Sequence, residues 1–283
     1  MCRLIAYIGH DLLLQDVLVN PVNSIIMQSL HARESEVPTN GDGFGVGWYS
    51  PSIDQTPALF TSIFPAWNDR NLLNLTAKIK SPAFFSHVRA ASAGGVSNYN
   101  CHPFVHKNWM MMHNGTVNDF IKLKRHIRHL LEDDVYFGVQ GETDSEHLFA
   151  LFQQLSKGKR LDSLIEVADI MELVLQTVNN LQDQYGNGEI SYFNICLTDG
   201  KRLLATRYCT EGEPASLHYA QGSQFLKRDD GRYHMLQQDG GKNCVLVASE
   251  KLNDFDMEWK DVPKNHFLLV DEQFNIVTRP INL

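Results

Sequence analysis

The second residue of the chain is a cysteine, and removal of Met1 turns it into a terminus that carries a thiol and a free α-amine. That pairing is a nucleophile with its own base. An α-amine titrates at about pH 7.7 to 8.0 when unperturbed, close to where a general base works best. N-terminal nucleophiles use this amine as their proton acceptor. The same position also suits an ordinary buried thiol opening a strand, because residues 3–8 are apolar and β-prone.

Three further segments carry matching chemistry. In Ser86-His87-Val88-Arg89-Ala90-Ala91-Ser92 a strand delivers Arg89 into a small-residue loop at 90–95, where a guanidinium fork suits a bidentate grip on a carboxylate. A surface salt bridge would use Arg89 equally well. In His113-Asn114-Gly115-Thr116 a side-chain amide precedes a glycine N–H, and two adjacent donors of this kind suit a developing oxyanion. Such a donor contributes about 3 kcal/mol in well-studied proteases. Asn-Gly is also a hairpin signal, weakened here by the amphipathic helix that follows. In Gly141-Glu142-Thr143-Asp144-Ser145-Glu146-His147, Thr143 and Glu146 read as a capping box and Asp144 as a first-turn acid complementing the helix dipole. The other reading of Asp144 is a carboxylate held toward a ligand ammonium. Cys101, His102, His106 and His113 do not make a metal site, because Pro103 interrupts their register and no zinc-like spacing completes them.

The elements that must position these residues alternate in period. Strands are expected at residues 3–8, 58–64, 83–88 and 104–113, the last broken by Asn114-Gly115, and helices at 23–33 and 69–80. Between them, residues 41–49 place glycine at every second position, which reads as a turn entering a strand whose glycine face admits a close neighbour. This is no phosphate loop, since neither G-x-G-x-x-G nor a Walker lysine is present. Helices follow at 118–131, 144–155 and 162–184. Strands then return at 191–197, 202–207, 216–220, 244–249, 266–270 and 276–279. Strands, then helices, then strands predict an α+β fold. The change of texture near Gly186 reads as the second sheet of the same core, so residues 1–283 are expected to form a single domain.

Composition excludes several functions. The chain has 283 residues, 43% hydrophobic and 20% charged, in the range of ordinary globular proteins. A formal charge of -8 argues against nucleic acid, which needs a basic face. No signal-peptide pattern and no apolar run of membrane length is found. The five cysteines show no CxxC spacing. Scattered thiols fit a reducing compartment, so a cytoplasmic protein without disulfides is expected.

Taken in order, the position-two cysteine, NGDGFGVGWY, SHVRAAS, CHPF, MHNGT and ETDSEHL resemble the class II glutamine amidotransferases of the N-terminal nucleophile hydrolases. The stand-alone branch is the nearest, with its YafJ-like, glutathione-degradation and ergothioneine-pathway members. Val247-Ala248-Ser249-Glu250, followed by Trp259, extends the likeness toward the C-terminus. The resemblance implies a four-layer αββα sandwich with two antiparallel sheets between helix layers. It implies Cys2 as nucleophile, its freed amine as base, and Asn114 with Gly115 as the oxyanion hole. Arg89 would bind the α-carboxylate of a glutamyl group and Asp144 its α-ammonium, with Ser92 lining the pocket. Asn40, Gly41 and Asp42 match the glycine-rich segment flanking the nucleophile.

The implied reaction is hydrolysis of glutamine or another γ-glutamyl small molecule through a thioester on Cys2, without cofactor or metal. Within these 283 residues no fused synthase that consumes ammonia is expected. The expectation is therefore a chain that pairs with a partner subunit or acceptor, discards ammonia, or hydrolyses a different γ-glutamyl amide. A non-catalytic glutamyl-binding regulatory subunit is the competing expectation. Retention of Met1 would block the amine. Residues 50–69 and 221–242 are expected as loops that read the leaving group.

Overall fold

The computed structural model describes residues 2–283 apart from 36, 92, 93 and 238–240. Ser92, one of the expected pocket residues, therefore lies outside the described residues. The chain opens with β1 (Arg3–Leu13), α1 (Gln15–Leu18) and α2 (Ile25–Leu30), then β2 (Phe44–Tyr49), β3 (Pro57–Ser62), α3 (Arg70–Thr76) and β4 (Lys80–Val88). A hairpin of β5 (Phe104–His106) and β6 (Trp109–Thr116) leads into α4 (Phe120–His129), α5 (Asp133–Tyr136), α6 (Asp144–Ser156) and α7 (Leu164–Tyr185). The last part holds β7 (Tyr192–Thr198), β8 (Leu203–Cys209), β9 (His218–Gly222), β10 (Gln224–Lys227), β11 (Tyr233–Leu236), β12 (Cys244–Ala248), β13 (Lys260–Asp261), β14 (His266–Val270) and β15 (Ile276–Pro280).

Two antiparallel sheets stack face to face. The first runs β13-β9-β12-β1-β4-β2-β3 and the second β15-β14-β8-β7-β6-β5, with β10-β11 as a separate ribbon. Strand parity sorts the side chains into three cores. Leu4, Ala6 and Ile8 of β1 meet Met110, Met112 and Cys196 of the second sheet. Ile5 and Tyr7 face the opposite way, against Leu18, Ile25 and Leu72 of α1, α2 and α3. Met111, Phe193 and Ile195 pack outward against Leu123, Phe152 and Met171 of α4, α6 and α7. Each fully buried Leu, Ile, Phe or Met contributes roughly 1.5–3 kcal/mol. The result is the αββα sandwich.

The structure corrects several sequence expectations. The strand expected at 104–113 is a hairpin turning at Lys107, whose φ is 54°, and β6 runs on through Asn114 and Gly115 to Thr116. The strands after Gly186 do not form one sheet: β9, β12 and β13 join β1, whereas β7, β8, β14 and β15 join β6. Residues 50–69 include β3, and residues 221–242 include the β10-β11 ribbon, so neither segment is simply a loop. Thr143 does cap α6 by accepting the Glu146 N–H at 3.2 Å. The Glu146 carboxylate, however, accepts the Gln140 and Gly141 N–H groups instead of closing a capping box. A reciprocal capping box does open α7, between Ser163 and Glu166.

The glycine face of β2 has a definite neighbour. A Cβ on Gly45 would overlap the His102 carbonyl, and one on Gly47 would overlap Met110 Sδ and Pro103. The CHPF segment thus lies directly on the glycine strand, which brings His102 against His87 of β4 with ring centroids 4.1 Å apart.

Candidate active site

Parity also assembles the site. Register pairs Arg3 with Val88 and Ile5 with Ala248, so the start of β1 lies between the ends of β4 and β12. Counting back from Leu4 and on from Phe85, Val247 and Met112 puts Cys2, Arg89, Ser249 and Asn114 on the same inter-sheet face. Half-buried Cys2 holds its Sγ 3.4 Å from the Ala90 N–H and equally far from the Ala90 carbonyl. Burial pushes the Cys2 thiol up, and the Ala90 N–H with the Arg89 and Arg3 guanidiniums only partly offsets this.

Buried Arg89 follows β4 and is clamped at its backbone: its N–H donates to the Gly43 carbonyl at 2.9 Å and its carbonyl accepts the Asp42 N–H at 3.0 Å. Its guanidinium donates to the Gly94 and Gly95 carbonyls, each at 3.2 Å. The Asp42 carboxylate accepts the Ala91 N–H at 2.8 Å, and Gly41 stands where a Cβ would touch the Trp67 ring. Asn40 is fully buried, donates its N–H to the Ser29 carbonyl at 2.8 Å, and leaves its Oδ1 without a hydrogen-bond partner among the described residues.

Asn114 and Gly115 sit at the end of β6 opposite Asn194 and Phe193. The Asn114 amide donates to Ser249 Oγ at 3.1 Å. Gly115 is required by space, since a Cβ there would overlap the Tyr192 carbonyl and the His113 ring. Asp144, at the start of α6, accepts the Val117 N–H at 2.7 Å and the Ser145 N–H at 2.7 Å. Ser145 Oγ in turn lies 3.0 Å from His113 Nδ1, so Asp144 is tied to the strand that carries Asn114.

Three residues outside the expected set hold these parts together. Arg3 is fully buried, donates from Nε to the Cys2 carbonyl at 2.6 Å, and reaches Glu250 Oε1 at 3.3 Å. Glu250 also accepts the Arg33 and Glu34 N–H groups, both at 3.0 Å, which anchors the segment leading to Asn40. Asn100 donates to the Gly95 carbonyl at 2.7 Å and accepts the Glu142 N–H at 2.9 Å, bridging the Arg89 loop to the α6 N-terminus. Arg3 was visible as a charge inside an apolar strand and Glu250 as part of the VASE run; Asn100 carried no signal.

The family described as "Glutamine amidotransferases class-II" matches residues 1–278. The chain belongs to the class II glutamine amidotransferases. Within that family it is 35% identical over 302 residues to "Probable glutamine amidotransferase DUG3" of Saccharomyces cerevisiae, covering 99% of this chain and 84% of the relative. It is 25% identical over 281 residues to "Gamma-glutamyl-hercynylcysteine sulfoxide hydrolase" of Mycolicibacterium smegmatis, covering 98% and 99%. Its fold matches a class II glutamine aminotransferase domain protein of Silicibacter pomeroyi with a TM-score of 0.69 at 22% identity, over all of both chains. As an amidotransferase it is an enzyme of γ-glutamyl amide chemistry with the sandwich fold of its relatives.

Proposed function

We propose that the site hydrolyses the side-chain amide of glutamine or of a γ-glutamyl compound, with Cys2, freed of Met1, as the nucleophile. The observation that supports this most directly is the register of β1 against β4, which sets Cys2 Sγ 3.4 Å from the Ala90 N–H, next to Arg89. Burial disfavours ionisation of the thiol to solvent. Thiolate therefore forms by passing the proton to the adjacent α-amine. Sulfur attacks the amide carbon, and the oxyanion forms against the Asn114 Nδ2–H and the Gly115 N–H. The C–N bond breaks as the ammonium returns its proton to the leaving nitrogen. Water, deprotonated by the same amine, opens the thioester and releases glutamate.

Arg89 and Asp144 take the α-carboxylate and α-ammonium of the glutamyl group, and Asn40, Gly41 and Asp42 form the segment over it. The named γ-glutamyl hydrolase among the relatives supports a substrate whose leaving group is an amine larger than ammonia. A partner subunit or an acceptor for the released nitrogen is an alternative destination. One domain over 1–283 fits the family match, and five unpaired cysteines fit a cytoplasmic location.

Intact mass before and after treatment with a diazoketone analogue of glutamine tests the reading. A chain lacking Met1 with one adduct on Cys2, and loss of glutamate release in Cys2→Ala, are expected. An unlabelled Cys2 in a chain lacking Met1 would overturn it.

A further inference from the structure

We propose that Ser249 is a positioning residue whose hydroxyl aims the Asn114 amide at the reacting carbonyl and ties that aim to the nucleophile's own strand. The proposal rests on the amide-hydrolysis reading above. Ser249 lies one residue beyond β12 and is fully buried. Its Oγ accepts two hydrogen bonds of 3.1 Å, one from the Leu4 N–H and one from Asn114 Nδ2. Its own N–H returns to the Leu4 carbonyl at 3.0 Å, and its carbonyl accepts Ser216 Oγ at 2.9 Å. One oxygen atom therefore joins the first sheet, two residues from Cys2, to the second sheet at the amide.

The chemistry makes that joint consequential. Asn114 Nδ2 carries two hydrogens, and committing one to Ser249 fixes the plane of the amide and the direction of the other. On its oxygen side Asn114 Oδ1 is buried with no partner among the described residues, so nothing there sets the rotation. Asn194, directly opposite on β7, gives its own Nδ2 to the Ala215 and Ser216 carbonyls. The aim of the amide thus depends on Ser249 Oγ. An oxyanion donor contributes only when its N–H points to where charge develops, and a displacement of about 1 Å is enough to cost on the order of a hundredfold in rate.

A double-mutant cycle on the full chain, with Met1 removal checked by intact mass and glutamine as substrate, tests this. Ser249→Ala should lower kcat about tenfold while KM stays within about twofold. In an Asn114→Ala background the same change should cost less than about twofold, because its target is already gone. Equal losses in both backgrounds, or a loss confined to KM, would overturn the proposal. Urea midpoints report whether Ser249→Ala folds. If it does not, Ser249→Cys keeps the size with a weaker acceptor, and an undiminished kcat there overturns the proposal as well. A wild-type chain that releases glutamate from neither glutamine nor a γ-glutamyl amide with a larger amine removes the reaction itself and this inference with it. A wild type that turns over, with additive losses, removes this inference alone.

Discussion

A buried histidine pair and a single rim histidine, on opposite sides of the nucleophile strand in the first sheet, stand in opposite electrostatic states. Inside, the His87 and His102 rings lie against each other, tilted by 38°, and among the described residues none of their four ring nitrogens has a hydrogen-bond partner. Burial pushes His87 down to about 3 and His102 well below its ordinary value, so both rings stay neutral. At the rim, His218 of β9 is also largely buried but sits between two carboxylates, Glu34 at 3.0 Å and Asp261 at 2.7 Å. There burial works against the charge, and the hydrogen bonds to Glu34 and Asp261 outweigh it and raise the pKa. The contrast shows that burial alone does not set a charge state; the partner does. It also separates two jobs. The inner pair fills space beneath the glycine strand, whereas the rim histidine pins Glu34, in the segment that runs to Asn40.

The largest expected effect breaks the rim side at its root. Glu250 holds the Arg33 and Glu34 N–H groups and compensates Arg3. Glu250→Ala leaves a buried guanidinium without that carboxylate, and such a change costs about 3–5 kcal/mol. A urea midpoint unchanged from wild type would remove the argument. The inner side is next. A depressed histidine pKa gives stability that is present above the unfolded value of about 6.5 and is lost as pH falls. For His87 the loss accrues at roughly 1.4 kcal/mol per pH unit from about 6.5 toward 3. His87→Phe keeps a ring against His102 and removes one titration, so its urea midpoint should fall less than wild type's between pH 7 and pH 5. Parallel declines would show that the ring is already paired or charged.

What the sequence revealed and what it hid follow from the same physics. Period-two spacing of Gly43, Gly45 and Gly47 announced a close neighbour, and only the fold shows that the neighbour is the segment from Cys101 to Pro103. The αββα sandwich entered through the family likeness. The division of the late strands between two sheets was not legible, because β7, β8 and β12 are all buried almost throughout and nothing local in them or in β9 says which sheet they join. At the site, Cys2, Arg89, Asn114 and Asp144 were visible as chemical types in segments with turn or cap signals. Arg3, Ser249 and Glu250 were visible as residue types, but besides the short bonds of Arg3 to Cys2 and Asn100 to Gly95, the roles of these residues and Asn100 come from partners 42 to 247 residues away. Hydrogen bonds of that span leave no local pattern.

The smallest expected effect sharpens the rim side without breaking the fold. His218 has a raised pKa, so its contribution is complete below the unfolded histidine value of about 6.5 and is lost as pH rises through the higher folded value. Glu34 has a lowered pKa, first through its hydrogen bond to His218, so its own contribution is present above the ordinary carboxylate range and lost as pH falls. The two windows overlap between the carboxylate and histidine ranges, where both partners are charged. Asp261 is mostly exposed and Glu34 partly so, which keeps the pair to about 1 kcal/mol or less. His218→Gln retains one polar contact but no charge. Its stability deficit against wild type should therefore be greatest near pH 6 and shrink toward pH 8.5. Because Glu34 leads into the segment ending at Asn40, KM for glutamine should rise over the same interval. A deficit independent of pH would mean that His218 holds Glu34 as a neutral ring, and the two flanks would then differ in packing only.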